Sequence, residues 1–268
     1  MKISYYVSCI FKKGDKSEPG NYRPVSLTCV LCKIAESYIK DNLYNFLEEK
    51  GAFSDCQHGF RKGRSCVTQL IQVVDTLADR FEKGEDTDII YWDFQKAFDK
   101  VPHRRLLAKL AALGVSDTIY NFIEDFLSKR KQRVNVEGSF SHWTEVNSGI
   151  PQGSILGPLL FTVFINDLPE GMQNICKMFA DDTKIYGTPG ACLQADLLRA
   201  TEWAEKWQMN FNPSKCTVLH MGKKNQRVPY YMKRADGEEI QVTEVENERD
   251  VGVTFDTDLK FHTLKRQI

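Results

Sequence analysis

Two adjacent aspartates, Asp181 and Asp182, stand between short apolar stretches, Met178-Phe179 before them and Ile185-Tyr186 after. Neighbouring side chains on a strand point to opposite faces. Paired carboxylates that serve one site therefore fit best at a hairpin turn, where Asp is favoured. Two carboxylates about 4 Å apart repel by roughly 4 kcal/mol at an effective dielectric of about 20. Nothing structural requires that cost, and a divalent cation reverses its sign. Taken alone, Phe179-Ala180-Asp181-Asp182 reads equally as a metal-holding hairpin or as a surface turn.

The chain of 268 residues suffices for one large domain or two small ones. Its 36 basic and 36 acidic residues cancel, so global charge gives no support for nucleic-acid binding. Local charge gives some, in Arg61, Lys62 and Arg64 and again in Lys129, Arg130, Lys131 and Arg133. Solvated surface is the first reading of such runs and phosphate contact the second.

Of the eight cysteines only Cys29 and Cys32 have CxxC spacing, and no second pair follows at zinc-site distance. Reduced, partly buried thiols of an intracellular protein are the expectation. No apolar run reaches the roughly 18 residues of a membrane span. No signal peptide is legible, because Ser4 and Ser8 interrupt the first apolar stretch and Lys12 and Lys13 follow it.

Gly14, Pro19, Gly20 and Pro24 predict irregular structure over positions 10–27. Apolar residues at helical spacing from Leu31 to Leu47 predict a helix stopped by Gly51, and those from Val67 to Phe81 a second, closed by Gly84. Asp88–Asp93 (DIIYWD) reads as a buried strand ending at an acid. Helices follow over 106–113 and 119–127, then a hairpin around Glu137-Gly138, a turn at 149–153 and an apolar helix from Pro158 to Leu168. The paired-aspartate hairpin at 176–186 precedes a helix over 192–209, and 216–221, 230–232 and 251–255 are candidate final strands. Strands and helices interleave without strict βαβ alternation, which predicts an α+β layer architecture.

A carboxylate at the end of a buried strand is well placed to hold a metal, and Asp93 ends DIIYWD. Magnesium takes one or two protein carboxylates and leaves other positions to water and phosphate. Asp93, Asp181 and Asp182 together supply enough oxygen donors for a two-metal site. In Asn147–Asp167, the glycines 149, 153 and 157 lack a Cβ and leave room for a nucleotide, or serve merely as turn residues. Gln152 between them is a candidate for base or sugar contact.

The ordered series Asn21-Tyr22-Arg23-Pro24-Val25-Ser26-Leu27, Gln57-His58-Gly59-Phe60-Arg61, Asp93 with Ala97-Phe98-Asp99, Ser148-Gly149-Ile150-Pro151-Gln152-Gly153 and Phe179-Ala180-Asp181-Asp182 resembles a reverse transcriptase. In detail it is similar to the polymerase of non-LTR retrotransposons of the chicken-repeat or jockey-like kind. The likeness runs from about Phe11 to Phe255, with the motifs in family order.

This resemblance implies an α+β right-hand polymerase fold, with an antiparallel palm sheet backed by helices and helical fingers. Fingers would occupy 1–88 and palm 89–268, with a fingers-side insertion near 104–146; thumb and endonuclease are expected to be absent. It implies RNA-directed DNA polymerase activity by two-metal nucleotidyl transfer to a primer 3′-hydroxyl. Asp93, Asp181 and Asp182 would hold two Mg2+ ions, with Mn2+ as a substitute. Arg23 and Arg61 would serve the incoming nucleotide, Arg23 gripping its triphosphate with help from Lys12 or Lys13.

Phe98 would reject a 2′-hydroxyl by a clash, or be ordinary core, or both. Gln152 and Gly153 would line the nucleotide path, and Lys215 would protonate the leaving pyrophosphate. Val251-Gly252-Val253 resembles the primer-grip hairpin. The implied partners are an RNA template with a DNA primer and deoxynucleoside triphosphates, without a membrane; the implied place of action is the nucleus. A folded, catalytically idle retrotransposon remnant that at most binds nucleic acid weakly is the alternative. Another palm-fold enzyme such as a nucleotide cyclase is a distant third.

Overall fold

The computed structural model describes residues 4–234 and 237–260. In chain order the elements begin with β1 (Ser4–Phe11), β2 (Tyr22–Leu27), α1 (Val30–Glu49), α2 (Cys66–Glu82) and β3 (Thr87–Trp92). Next come α3 (Ala97–Lys100), α4 (His103–Ala112), α5 (Asp117–Leu127), β4 (Arg130–Val136), β5 (Ser139–Phe140), β6 (Thr144–Val146) and α6 (Gly157–Ile165). The chain continues with β7 (Ile175–Phe179), β8 (Asp182–Gly187), α7 (Ala191–Trp207), β9 (Thr217–Met221) and β10 (Tyr231–Lys233). It closes with β11 (Glu239–Gln241), β12 (Thr243–Val245), β13 (Asn247–Asp250) and β14 (Val253–Asp256).

These elements form two compact units, one of residues 1–53 with 96–164, the other of 54–95 with 165–268. The chain crosses between them at 53/54, 95/96 and 164/165.

The first unit contains a sheet in the order β2-β1-β4-β5, with β6 also paired to β4. β1 runs antiparallel to β2 and parallel to β4. The expectation of irregular structure over 10–27 is therefore corrected: Pro24 sits opposite Cys9 on β2, and β2 ends the sheet order. An edge strand is where a proline's missing N–H can be accommodated. The same strands add a sheet to residues 1–88, where helical fingers are expected. α1 forms as predicted and buries Glu36, Ile39, Leu43, Tyr44 and Leu47. Leu31, Ile34 and Tyr38, part of the apolar pattern that predicts the helix, are exposed.

The second unit is built on a sheet in the order β12-β9-β3-β8-β7. β3 is central, antiparallel to β8 and β9, and all six of its residues are buried, as a run of Ile, Tyr and Trp dictates. Val73 and Leu77 of α2 pack with Ile89, Tyr91, Tyr186, Leu219, Met221 and Phe255 into one core cluster. α2 starts at Ser65, whose hydroxyl accepts the Thr68 N–H while the Thr68 hydroxyl accepts the Ser65 N–H.

A buried polar hub ties this unit together. Asp88 accepts from Tyr230 Oη at 2.6 Å and Asn225 Nδ2 at 2.7 Å, and lies 2.7 Å from His220 Nδ1.

Candidate active site

The second unit brings two predicted acids together by strand register. β3 and β8 are paired up to Trp92 opposite Thr183, so the next positions beyond the ladder are Asp93 and Asp182. Directly opposed residues of an antiparallel pair share one face. Asp93 is held by its own backbone: its carbonyl accepts the Asn212 N–H at 2.7 Å, and Phe94 bridges to Phe211. That attachment delivers the turn Pro213–Lys215, and the Lys215 ammonium forms an ion pair with the Asp93 carboxylate.

Asp93, Asp182 and Lys215 line one cavity of about 350 Å3, together with Thr217, Glu248, Asp250 and Val251. Val251 and Gly252 form the turn between β13 and β14, so the hairpin predicted at Val251–Val253 meets the same cavity.

Asp181 occupies the two-residue turn between β7 and β8, beside Ala180. Ala180 has φ +56, an αL conformation that costs a residue with a Cβ energy unless its surroundings enforce it. Gln57 does so. Its side-chain carbonyl accepts the Ala180 N–H at 3.0 Å and the Gly59 N–H at 2.7 Å. Gly59 leaves no space: a Cβ there would lie 2.3 Å from the Ala180 nitrogen. The backbone joins in, with His58 N–H to Met178 O and Met178 N–H to Cys56 O, both at 2.8 Å.

The electrostatics match a site crowded with negative charge. Although Asp182 keeps a face open to solvent, the protein around its carboxyl removes enough water to raise its pKa, and Asp181, Asp250 and Asp93 push it further, to about 6. Asp250 itself pairs with Lys184 at 2.5 Å, both side chains buried. Burial holds the Lys184 pKa below the usual lysine value, against the pull of Asp250.

Carboxylate oxygens that repel one another suit a hard divalent cation, and Asp93 and Asp182 meet that requirement in one cavity. Among the described residues, no three His, Cys, Asp or Glu side chains are already gathered as a metal-binding cluster. Asp181 is not among the residues that line the cavity.

Arg61, expected to serve the nucleotide, also lies in the second unit, where its guanidinium donates to Ser54 O at 2.9 Å.

The first unit holds the remaining predicted residues. Arg23 is exposed on β2, opposite Ile10 of β1. Phe98 is half-buried and stacks on Phe161 with ring centroids 4.4 Å apart. Gln152 Nε2 donates to Asp99 Oδ1 at 3.0 Å, while the Gln152 backbone carbonyl accepts the Ser26 N–H at 2.8 Å.

The glycines around it pack closely against the chain itself. A Cβ on Gly149 would lie 2.6 Å from Asp99 O, one on Gly157 2.5 Å from Ser154 Oγ, and one on Gly153 3.0 Å from Ser26 O. The chain itself fills the vacated space. Glu36 and Arg130 fasten the same segment. Glu36 accepts the Ile155 and Leu156 N–H groups at 2.7 and 3.1 Å, and Arg130 donates to the Gly149 carbonyl. Arg130 is buried, and so leaves the basic run that was read first as solvated surface.

Sequence reasoning missed Gln57 as the support of the aspartate turn, Asp250 and Glu248 on the cavity wall, and Lys184. The only signals for them were a glutamine two residues before a glycine and a lysine inside an otherwise buried strand.

A right-hand polymerase palm, with acids at the ends of adjacent antiparallel strands, is the class this arrangement indicates. Residues 10–251 match the family model described as reverse transcriptase (RNA-dependent DNA polymerase), and the chain belongs to that family. It is similar to the probable RNA-directed DNA polymerase from transposon BS of Drosophila melanogaster, 32% identical over 221 residues, covering 77% of this chain and 24% of the relative. It is also similar to the RNA-directed DNA polymerase from mobile element jockey of Drosophila funebris, 34% identical over 224 residues, with coverage of 77% and 24%. The chain thus spans about a quarter of the length of these curated relatives.

Among solved structures, apo telomerase from Candida tropicalis superposes with a TM-score of 0.64 at 11% identity, covering 96% of this chain and 48% of that one. Telomerase from Candida albicans in complex with a fragment of telomeric RNA gives 0.61 at 12% identity, covering 91% and 44%. At such identities the likeness is one of fold. Reverse transcriptases as a family use divalent metal ions. Among the described residues no helix is long and apolar enough to cross a membrane.

Proposed function

We propose that this chain carries the polymerase chemistry of a non-LTR retrotransposon, adding deoxynucleotides to a primer 3′-hydroxyl on an RNA template. The observation that carries the reading is the register of β3 and β8, which ends with Asp93 and Asp182 on one cavity beside Lys215. In this reading Asp93 and Asp182, with Asp181 next to them, hold two magnesium ions. Such ions supply activation of the attacking hydroxyl and neutralisation of the leaving oxygen.

The protein's own part is positioning. Gln57 and Gly59 fix the turn that presents Asp181 and Asp182. Lys215 keeps Asp93 paired until the site is loaded, and then offers a proton to the leaving pyrophosphate. Arg23 and Arg61 are proposed for the triphosphate, Phe98 for sugar discrimination, and Gln152 and Gly153 for the nucleotide path. RNA template, DNA primer, deoxynucleoside triphosphates and nuclear action belong to the same proposal.

A second reading, a folded remnant without chemistry, draws on one observation: no three-ligand cluster is preformed among the described residues. Single-nucleotide addition to a primer annealed to RNA separates the two. Magnesium-dependent addition, abolished by Asp93→Asn, supports the polymerase; its absence from folded protein supports the remnant.

A further inference from the structure

The CxxC pair lies in the first unit, at the start of α1. Cys29 is the N-cap of α1, a helix of 20 residues, and Cys32 stands in its first turn. The two sulfurs are hydrogen-bonded at 3.2 Å, and the Cys32 N–H donates to Cys29 Sγ at 3.4 Å. Cys29 is exposed and Cys32 half-buried, both as free thiols. The residues between them, Val30 and Leu31, are 72% and 79% exposed, so the turn that carries the thiols faces solvent.

We propose that Cys29 and Cys32 form a thiol–disulfide exchange site, with Cys29 as the attacking sulfur and Cys32 as the resolving one.

Three features carry this. A disulfide has an S–S length of about 2.05 Å, and an i,i+3 pair at a helix start is already within reach of that bond by side-chain rotation. The helix N-terminus and its N–H groups stabilise a thiolate at Cys29. The Cys32 N–H and then the Cys32 thiol hold the Cys29 pKa below the usual cysteine value, while the Cys32 pKa is raised by that same contact and by burial. The asymmetry gives each sulfur a distinct part.

The exchange balances with glutathione disulfide as the oxidant. The Cys29 thiolate attacks one glutathione sulfur, forms a protein–glutathione disulfide and releases glutathione thiolate. The Cys32 thiol loses its proton and attacks Cys29 Sγ, forming the Cys29–Cys32 bond and releasing a second glutathione. Two protein thiols are oxidised and one glutathione disulfide is reduced to two thiols.

The test treats the full chain with glutathione disulfide at pH 7.5 and maps the products by peptide mass spectrometry. Wild type is expected to gain a Cys29–Cys32 cross-link with the loss of two hydrogens. Cys32→Ser is expected to accumulate glutathione on Cys29, at least tenfold faster than Cys29→Ser accumulates it on Cys32. Cross-link formation with that rate order supports the proposal. Failure of the cross-link while other exposed cysteines such as Cys192 become modified overturns it. Equal glutathionylation rates in the two variants overturn the assignment of Cys29 as attacker. Phenylarsine oxide, which bridges a close dithiol, gives a reading that needs no oxidation. One equivalent that protects both Cys29 and Cys32 from alkylation agrees with the site, and failure to protect them contradicts it.

Discussion

The side-chain carbonyl of Gln57 accepts the backbone N–H of Ala180, 123 residues further along the chain, at 3.0 Å. Through it a fully buried glutamine dictates the shape of the turn that carries Asp181. Without that acceptor, the αL backbone of Ala180 and two buried N–H groups lose their partner. Gln57→Ala is expected to cost about 1–3 kcal/mol, the penalty of unsatisfied buried donors. Polymerase activity is expected to fall more than tenfold through kcat, with KM for the nucleotide little changed. Urea unfolding and steady-state kinetics check the two parts. Gly59→Ala, which sets a methyl against Ala180, is expected to reproduce the loss of activity.

Asp182 sets the pH response of the metal-free site. Its folded pKa of about 6 stands above the ordinary value of 3.8. The group's contribution to stability is therefore complete below about pH 4 and is lost as the pH rises through about 6. A bound divalent cation favours the ionised form and offsets that loss. Magnesium is accordingly expected to raise the melting temperature more at pH 7.5 than at pH 5. Thermal denaturation with and without the ion measures it, and an equal shift at both values contradicts the assignment.

Lys215 and Asp93 form an exposed pair, and such pairs contribute only about 0–1 kcal/mol. Lys215→Ala should leave stability within that margin. It removes a positive charge from the cavity and frees the Asp93 carboxylate, so Mn2+ binding is expected to tighten severalfold while nucleotide addition falls. Paramagnetic titration of Mn2+ beside the extension assay distinguishes this from general damage, which would weaken both.

Asp88 is a structural counterpart to the site acids. It is fully buried and satisfies Tyr230, Asn225 and His220 at once. Asp88→Ala removes a shared acceptor from all three, of which Asn225 keeps Met221 O, and is expected to cost about 3–5 kcal/mol, as removal of one member of a buried pair does. Tyr230→Phe, which removes the hydroxyl's bond to Asp88 and the acceptor of the Gly190 N–H, is expected to cost about 1–3 kcal/mol. Equilibrium unfolding of both variants gives the comparison.

The legible parts of this chain are those in which local pattern and tertiary role agree. The apolar run Ile89–Trp92 is a central strand because it is buried on both faces, and the half-buried Asp93 follows at its end. The turns at Glu137-Gly138 and Ala180-Asp181 lie between strands whose alternation is visible in the sequence.

What was not legible depends on distant partners. β1 and β2 looked irregular because their order comes from pairing, β1 with β4 more than a hundred residues away. Leu31, Ile34 and Tyr38 have core spacing yet remain exposed, since periodicity marks an apolar face and does not say what covers it. The buried Lys184–Asp250 pair joins two residues that carry no joint signal in the sequence. The neighbours that the glycines around Gln152 lie against, Asp99 O, Ser26 O and Ser154 Oγ, are not written in their spacing.

The central claim is that the acids at the ends of β3 and β8 perform polymerase chemistry. The most direct test is extension of a DNA primer on an RNA template with magnesium and all four deoxynucleotides, run beside the Asp181→Ala/Asp182→Ala double variant. The account predicts template-length product from the wild type and none from the variant at equal folded concentration. Equal extension by both, or none from folded wild type at high protein and low salt, would contradict it.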